Sequence, residues 1–247
     1  MIRGILSGTM AMRAQVLNQE VIANNLANAD TAAFNEDKAV FSSFHDVLMY
    51  MCQPSQFSVP IGSYTGGTVI RDVQTIRGLG PMETTGNSLD VALPAGEYLC
   101  VDTPAGVRYT RRGDFQVSVD GHLSVAGHRL LGTAGVLQVQ SGRSCRISED
   151  GTVLDGDTAI GTLRVVQVQN EDELRKEGNS LFIADDSNIQ VVTAPNLMCG
   201  ALEKSSVDPV KEMVNLISAM RSYEAAQRAI KSHDEATDQA VNRVGRV

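Results

Sequence analysis

Two amphipathic segments at the ends of the chain constrain its fold more than any other feature. In residues 1–34, apolar side chains recur at three- and four-residue steps and form one broad face. Within residues 205–247, a second helix is predicted to start near Asp208-Pro209, a helix N-cap followed by proline at the first helical position. Each segment predicts a long helix that cannot bury its apolar face alone. The two helices therefore need each other, or neighbouring copies of the chain, as partners.

The N-terminal helix is predicted to end near Asn28. Asparagine is a poor interior helix former, because its side chain competes for backbone hydrogen bonds, but it caps helix ends well. Three asparagines, Asn24, Asn25 and Asn28, fall within five residues. On its own, this cluster predicts a helix C-cap followed by a turn.

A seven-residue repeat runs through the C-terminal segment and predicts a coiled-coil-like seam. The seam positions carry Leu216, Tyr223, Ile230, Thr237 and Val244 on one side and Met213, Met220, Gln227, Asp234 and Val241 on the other. Gln227 and Asp234 weaken a dry seam and indicate a wetter interface or a specified register. A helix of about 35 residues would be about 50 Å long. That length favours pairing over a surface helix packed on its own small domain.

The middle of the chain predicts short strands. Residues 40–51 have apolar side chains at helical steps and predict a short helix or an irregular apolar segment. Residues 53–67 are rich in Pro, Ser and Gly, which is typical of a linker or of a loop that orders on assembly. Between residues 68 and 202, alternating valine-rich runs are separated by Asp120-Gly121, Asp150-Gly151 and Asp155-Gly156, dipeptides typical of hairpin turns. Residues 171–176 are predicted to form one helical turn.

We therefore predict an α+β protein. The N- and C-terminal helices pair as a coiled-coil-like core domain made of residues 1–52 together with 203–247. Residues 53–67 are the linker, and residues 68–202 form a central all-β domain.

Composition and motifs argue against several classes of function. The net charge of −8, without a basic stripe, argues against nucleic-acid binding. We expect no insertion into a membrane, because no run of eighteen uncharged apolar residues exists. We find no catalytic motif and expect no catalytic residue, cofactor or metal. His122 and His128 flank a predicted hairpin and could meet with Asp120 at a metal, but surface or turn histidines are the preferred interpretation.

Several blocks of sequence together resemble the bacterial flagellar axial proteins of the rod and hook. The first block is the run of residues 23–28 followed by Thr31 and Phe34. Later blocks follow in the same order and cover nearly the whole chain: residues 85–92, 109–115, 161–163, 178–182, 200–207, 212–214 and 221–224. Two positions depart from the family's pattern. Ala33 stands where glycine is usual, although alanine resists a positive φ, and Asn35 stands where a basic residue is usual. The tripeptide at residues 112–114, which resembles an integrin-binding motif, lies inside one of these blocks.

The resemblance implies a structural subunit of the flagellar basal-body rod that self-assembles through its terminal helices into the axial drive-shaft. Its implied partners are copies of itself, other rod and hook proteins and the flagellar type III export apparatus, which would deliver it without a cleaved signal peptide. The expected interface residues are Leu6, Met10, Leu17, Val21, Asn24, Asn25, Leu26, Asn28, Met213, Ile217, Met220, Tyr223 and Ile230. The asparagines would bond backbone groups at the helix end or across subunits.

Three questions stay open at this stage. Within the family, residues 41–51 and 241–247 favour a proximal-rod protein over a distal-rod one. A secreted β-rich binding module, such as an adhesin or chaperone with a helical stalk, is the alternative from another class. The four scattered cysteines are expected to be small, mostly buried residues. A disulfide formed after export to an oxidising periplasm is the alternative for them.

Overall fold

The chain forms two compact units. The computed structural model describes residues 2–43, 46–53, 56–139, 145–178 and 180–244. Unit 1 contains Met1–Ala27, Asp37–Gln74 and Asp208–Val247, and unit 2 contains Asn28–Glu36 and Thr75–Val207. The predicted domain boundaries stay a prediction.

Unit 1 contains both long helices and two strand pairs. Its elements are α1 (Ile2–Ala27), β1 (Asp37–Ser43), β2 (Asp46–Gln53), β3 (Gln56–Thr65), β4 (Thr68–Thr75) and α2 (Pro209–Gln239), with a π-helical turn at Ala240–Val244. Strand β1 pairs with β4, and β2 pairs with β3 in an antiparallel hairpin. The two helices contact each other within the chain.

The ends of both helices follow the predicted signals. The Asp208 carboxylate accepts hydrogen bonds from the backbone N–H groups of Val210, at 3.0 Å, and Lys211, at 3.3 Å, which caps α2. Helix α1 ends at Ala27, and the Thr31 N–H donates to the Asn28 carbonyl oxygen at 3.1 Å in the turn that follows. The predicted end near Asn28 is confirmed.

The prediction of a short helix over residues 40–51 is wrong, because β1 and β2 occupy this segment. Helical steps between apolar residues do not distinguish a helix from a strand in a short segment rich in apolar residues. Strand β3 lies within the stretch predicted as a linker.

Unit 2 is built from seventeen short strands within the described residues. They are β5 (Met82–Thr84), β6 (Val91–Ala92), β7 (Glu97–Thr103), β8 (Gly106–Thr110), β9 (Gln116–Val117), β10 (Leu123–Val125), β11 (His128–Gly132), β12 (Gly135–Val136), β13 (Cys145–Ile147), β14 (Thr152–Asp155), β15 (Thr158–Thr162), β16 (Val165–Val168), β17 (Arg175–Gly178), β18 (Leu181–Ile183), β19 (Ile189–Val191), β20 (Met198–Cys199) and β21 (Ala201–Glu203). The helical turn predicted over residues 171–176 is confirmed only in its first part, where a 3-10 turn covers Glu171–Glu173, because β17 begins at Arg175.

The strands form one large sheet and several small ones. Across the described residues, the large sheet has ten strands, with the central order β17-β18-β8-β7-β11-β10-β9. Strand β12 joins it beside β11, and β16 lies between β7 and β19. Strands β13, β14 and β15 form a separate meander, in which Asp155-Gly156 lies in the β14–β15 turn, as predicted.

The core of unit 2 is apolar. One cluster of buried side chains includes Leu99, Leu123, Leu130, Val153 and Val165, all fully buried. A second surrounds the Tyr98 and Phe182 rings, whose centroids lie 5.8 Å apart in an edge-to-face arrangement.

Ala33 adopts the backbone conformation that glycine adopts most easily. Its φ is 51°, its side chain is buried, and its N–H donates to the Glu203 carbonyl oxygen at 2.8 Å. A non-glycine residue in this region costs on the order of 1 kcal/mol. Unit 2 therefore forms this turn with alanine at position 33, where glycine is usual in the family.

The α+β class is confirmed, but the predicted coiled-coil-like pairing of the terminal helices is wrong. In the predicted seam, Ile230 and Tyr223 are half-buried, whereas Met213 and Met220 are exposed. A coiled coil needs both seam positions to insert into the partner helix. The seven-residue repeat marks apolar positions, and in this chain they fall on two different faces of α2.

Candidate assembly interface

Helices α1 and α2 lie antiparallel and approach closely where α1 has glycine. A Cβ atom at Gly8 would lie 2.7 Å from Cγ1 of Ile230, and one at Gly4 would lie 2.7 Å from Nε2 of His233. Side chains larger than hydrogen do not fit at either position without a shift. The closeness of the two helices therefore depends on small residues rather than on interlocking large ones.

Asn25 bonds to two other elements of unit 1. Its amide donates to the Asp37 carbonyl oxygen at 2.8 Å and accepts from the Asp37 N–H at 3.0 Å, so it pairs with backbone at the start of β1. The same amide donates to the Glu212 carboxylate on α2 at 3.3 Å. Both side chains are buried, and Glu212 also accepts from Asn215 at 2.8 Å. The close approach of Gly4 to His233 and the hydrogen bond from Asn25 to Glu212 thus span the same number of residues on each helix, 4 to 25 and 212 to 233.

Helix α2 exposes an apolar stripe. Its members follow one another at three- and four-residue steps, and each is at least 51% exposed: Val210, Met213, Val214, Ile217 and Met220. An amphipathic helix normally turns such a stripe toward a core. Here the buried residues of α2 are Glu212 and Ala219, which lie on a different face. No part of the chain that the structure describes buries this stripe.

The other predicted interface residues divide between exposed and half-buried positions. Leu6, Leu17 and Asn24 are exposed on α1. Met10, Val21, Leu26, Asn28, Tyr223 and Ile230 are half-buried. The structure thus separates the predicted set into contacts between the two helices, such as Ile230 and Asn25, and side chains that face outward, such as Ile217 and Met213.

A groove beside α1 adds residues that sequence reasoning missed. Met10, Arg13, Ala14 and Leu17 of α1 line it together with Val69 and Ile70 of β4. The sequence placed Val69 and Ile70 in the β domain, because strand-like composition begins near residue 68. Glu212 was missed as well, since a charged side chain in an amphipathic helix is normally assigned to the exposed face.

Comparison with known proteins identifies the family. Residues 5–34 match the family model for flagella basal body rod proteins, and residues 199–243 match the model for the C-terminal part of flagellar basal body rod FlgEFG proteins. The chain is 30% identical to the flagellar basal-body rod protein FlgF of Escherichia coli, over 92% of each chain. It is 31% identical to the flagellar basal-body rod protein FlgG of Caulobacter vibrioides, over 94% of this chain and 96% of that protein. The chain belongs to the flagellar basal-body rod protein family.

It is therefore a structural subunit of the flagellar rod, and the binding-module alternative is not favoured. A hook-basal body complex protein of Bacillus subtilis, FlhO, is 27% identical over the full length of both chains. Because FlgF and FlgG relatives match at similar identity, the proximal-rod assignment stays a prediction.

Blocks of the resemblance to rod proteins meet at a buried ion pair in unit 2. Arg111, from the block at residues 109–115, donates to Glu203 Oε2 through Nε at 3.0 Å and through a terminal nitrogen at 2.7 Å. Its other N–H groups reach the carbonyl oxygens of Leu93, Pro94 and Glu97 at 2.9–3.2 Å. The other Glu203 oxygen accepts from the Gly80 N–H at 2.9 Å. Every donor of Arg111 is thus satisfied, so these residues build the rod protein's framework.

The tripeptide at residues 112–114 is also structural. The Arg112 guanidinium donates to both oxygens of Asp114, at 2.9 Å and 2.6 Å. Between them, a Cβ atom at Gly113 would lie 1.6 Å from the Val91 carbonyl oxygen, so only glycine fits. In the neighbouring block, Asp90 accepts from Thr85 at 2.6 Å and from Asn87 at 3.0 Å.

The described residues offer little for covalent or metal chemistry. Burial raises the pKa of the Cys100 thiol to about 11, which makes it a poor nucleophile. Cys145 is buried, Cys199 is exposed, and both carry free thiols, while the Cys52 side chain lies outside the described positions. Among the described residues, no three His, Cys, Asp or Glu side chains are arranged to hold a metal ion. No helix in the described ranges is long and apolar enough to cross a membrane.

Proposed function

We propose that this rod subunit self-assembles through its terminal helices, using the apolar surface that the α1–α2 pair leaves exposed. The observation that carries the proposal is the α2 stripe, whose five apolar side chains are all at least 51% exposed. Contiguous exposed apolar patches of this kind mark interaction sites on soluble proteins.

The energetics favour burial of the stripe in an assembly. Burying a fully exposed Val, Leu, Ile or Met side chain contributes about 1.5–3 kcal/mol. The stripe side chains are already partly buried in the monomer, so each contributes less than this on association. Five of them can offset a substantial part of the cost of association, which is on the order of 4–15 kcal/mol. A growing rod also holds many copies along an axis, so the free energies of the contacts between successive subunits add up.

The predicted interface residues then take two roles. Met213, Ile217 and Met220, with Leu6 and Leu17, contact neighbouring subunits directly. Asn25 and Ile230 hold α1 against α2, which fixes the angle at which these surfaces are presented. Met10, Val21, Asn24, Leu26, Asn28 and Tyr223 complete the proposed set.

The proposed partners are copies of the chain and other axial proteins of the rod and hook. Relatives along the whole chain carry the names of basal-body rod and hook-basal body proteins, which supports this choice. Delivery by the flagellar type III export apparatus, without cleavage of a signal peptide, is part of the proposal. Catalysis is not.

Replacement of the stripe tests the proposal. We expect the Met213→Ser/Ile217→Ser double variant to fold with unchanged helix content, because both side chains are half-exposed in the monomer. Its association with itself and with purified rod proteins, measured by sedimentation velocity, should fall by at least about tenfold, the equivalent of 1.4 kcal/mol. It should also fail to restore motility to a strain that lacks the gene.

A matched control is Glu224→Ser/Glu235→Ser, which changes two exposed charged residues of the same helix. The control should associate as the parent does. If the stripe variant associates normally while folding normally, the α2 stripe is not the assembly surface and the proposal is wrong.

A further inference from the structure

Unit 1 has a concave apolar surface as well as the exposed stripe on α2. The groove between α1 and β4 encloses about 300 Å³, and five of its six lining side chains are apolar. Its lining consists of Met10, Arg13, Ala14, Leu17, Val69 and Ile70. Ala14 is 3% exposed, and its small side chain leaves room between the longer ones around it. The groove is therefore open to an apolar side chain from outside.

The α2 stripe is the convex counterpart of this groove. Its five side chains follow one another at three- and four-residue steps, so they form a ridge along the helix. Two of them, Met213 and Met220, are unbranched and adapt to irregular apolar surfaces. Helices pack by fitting ridges into grooves, whereas two ridges placed face to face leave gaps. We therefore expect the stripe to pack better into a groove than against a second stripe.

The stripe and the groove extend in opposite directions along the helix pair. Leu17 is nine residues beyond Gly8, and Met220 is ten residues before Ile230, the residue that Gly8 approaches. Because the helices are antiparallel, Leu17 and Met220 lie at about the same height. From there the groove extends toward the start of α1 and the stripe toward the start of α2. The stripe of one chain therefore does not lie over the groove of the same chain.

The charge of unit 1 favours a second copy of unit 1 as the occupant of the groove. Unit 1 contains ten Lys and Arg residues and ten Asp and Glu residues, so its net charge is zero and the net charge of −8 belongs to unit 2. A strongly charged partner of either sign gains no long-range attraction from a neutral surface. Two copies of unit 1 can meet without repulsion between these surfaces.

We propose that the α2 stripe of one copy packs into the α1–β4 groove of the next copy. This inference rests on the proposed assembly function and names the surface that the stripe meets. The stripe and the groove are different surfaces, so the contact is heterologous and each docked copy keeps one free stripe or one free groove. A heterologous contact that does not close into a ring extends into a filament, whereas a stripe that paired with another stripe would close into a dimer.

The first test changes the groove. Leu17→Ser/Ile70→Ser replaces one side chain that is 39% exposed and one that is half-buried, so we expect unchanged helix content by circular dichroism. Self-association, measured by sedimentation velocity, should fall by at least about tenfold. Leu17→Gln, which changes only the more exposed position, should lower it in the same direction and serves as a second variant if the double change impairs folding.

A matched control is Val16→Ser/Val73→Ser. Val16 is 39% exposed, as Leu17 is, but adjacent residues of a helix do not share a face. Val73 is 45% exposed and lies three positions after Ile70 on β4, so it is on the other face of that strand. This control should associate as the parent does.

A mixing experiment distinguishes heterologous contact from self-pairing. The Met213→Ser/Ile217→Ser variant keeps an intact groove, and the groove variant keeps an intact stripe. Each alone should stay monomeric at a concentration at which the parent associates. An equimolar mixture should form a complex of one copy of each, with a dissociation constant within about threefold of the parent contact. The complex should grow no further, because only altered surfaces remain free.

The outcomes separate this inference from the proposed function. If the folded groove variants associate like the parent, or if the two folded variants form no mixed complex, the stripe does not pack into this groove and the inference is wrong. In both cases, loss of association by the stripe variant leaves the proposed function standing. Normal association of the stripe variant, or a parent chain that stays monomeric at about 1 mM, contradicts both proposals.

Discussion

The two units of this rod protein achieve order in different ways. Unit 2 buries two apolar clusters and satisfies every donor of Arg111 within its own described residues. In unit 1, α1 and α2 touch through glycines and a buried asparagine, while α2 keeps its broadest apolar stripe outside. A core that is complete does not need a partner, but a helix pair with an open apolar face gains from one. The difference supports the proposal that assembly uses unit 1, whose apolar stripe on α2 is left uncovered.

The largest effect should come from breaking the Arg111–Glu203 pair. Arg111→Met leaves a buried carboxylate without its counter-ion and should lower the free energy of unfolding by about 3–5 kcal/mol. Chemical denaturation of the variant measures this loss. Arg129→Met, which removes an exposed ion pair of 3.8 Å, should change stability by less than about 1 kcal/mol. Equal losses in the two variants would show that unit 2 does not depend on this pair.

The next effect concerns unit 1. Asn25→Leu removes the bonds to Asp37 and Glu212 and should destabilise the helix pair by about 2 kcal/mol, because buried polar groups lose their partners. Hydrogen exchange along α1 and α2 should accelerate, while exchange in unit 2 stays as it was. A double-mutant cycle with Glu212→Gln should show a coupling of at least about 0.5 kcal/mol, and simple additivity would contradict the proposed contact.

A smaller loss is expected from Gly8→Ala. The added methyl group would collide with Ile230, at a cost of about 1–3 kcal/mol, and the better helix propensity of alanine offsets about 1 kcal/mol of it. Thermal unfolding followed by circular dichroism measures the net loss. Ile230→Ala in the same chain should make room for the methyl group, so the double variant should be more stable than the sum of the two single changes predicts.

The smallest effect is a gain within unit 2. Ala126 and Gly127 form the two-residue turn between β10 and β11, and Ala126 has a φ of 50°. Asparagine tolerates this conformation better, so Ala126→Asn should raise the free energy of unfolding by about 0.5–1 kcal/mol. Gly127→Ala, at a φ of 80°, should lower it. If Ala126→Asn destabilises the protein, the assigned turn geometry is incorrect.

The sequence predicted the elements better than their contacts. Three local features were predicted: the Asp208 cap, the end of α1 near Asn28 and the turn at Glu171–Glu173. Each depends on backbone hydrogen bonds with residues nearby in the sequence, so the local residue types are enough to predict it. Which face of α2 meets α1 depends on where the rest of unit 1 lies, and a seven-residue repeat does not contain that information. The strands over residues 40–51 were missed for a related reason, since pairing between β1 and β4 joins segments far apart in the chain.

The candidate interface was predictable to a similar degree. Met213, Ile217 and Met220, which the structure leaves exposed, could be selected because apolar side chains at helical steps are visible in the sequence. Glu212 was not found, because its burial depends on an amide 187 positions away. The small cavity lined by Arg77, Tyr98 and Glu171 was also missed, since its lining comes from five separate stretches of the chain.

The bond between Asn25 and Glu212 has a consequence for the order of folding. It joins the first and last helices across 187 positions, so unit 1 is discontinuous along the chain. Closing so long a loop carries an entropic cost that local contacts do not, and slow steps in folding follow such separations. A chain that emerges N-terminus first from a ribosome has no second helix for α1 to pair with until α2 appears, after the whole of unit 2. Unit 1 is therefore the last part of the molecule to be completed.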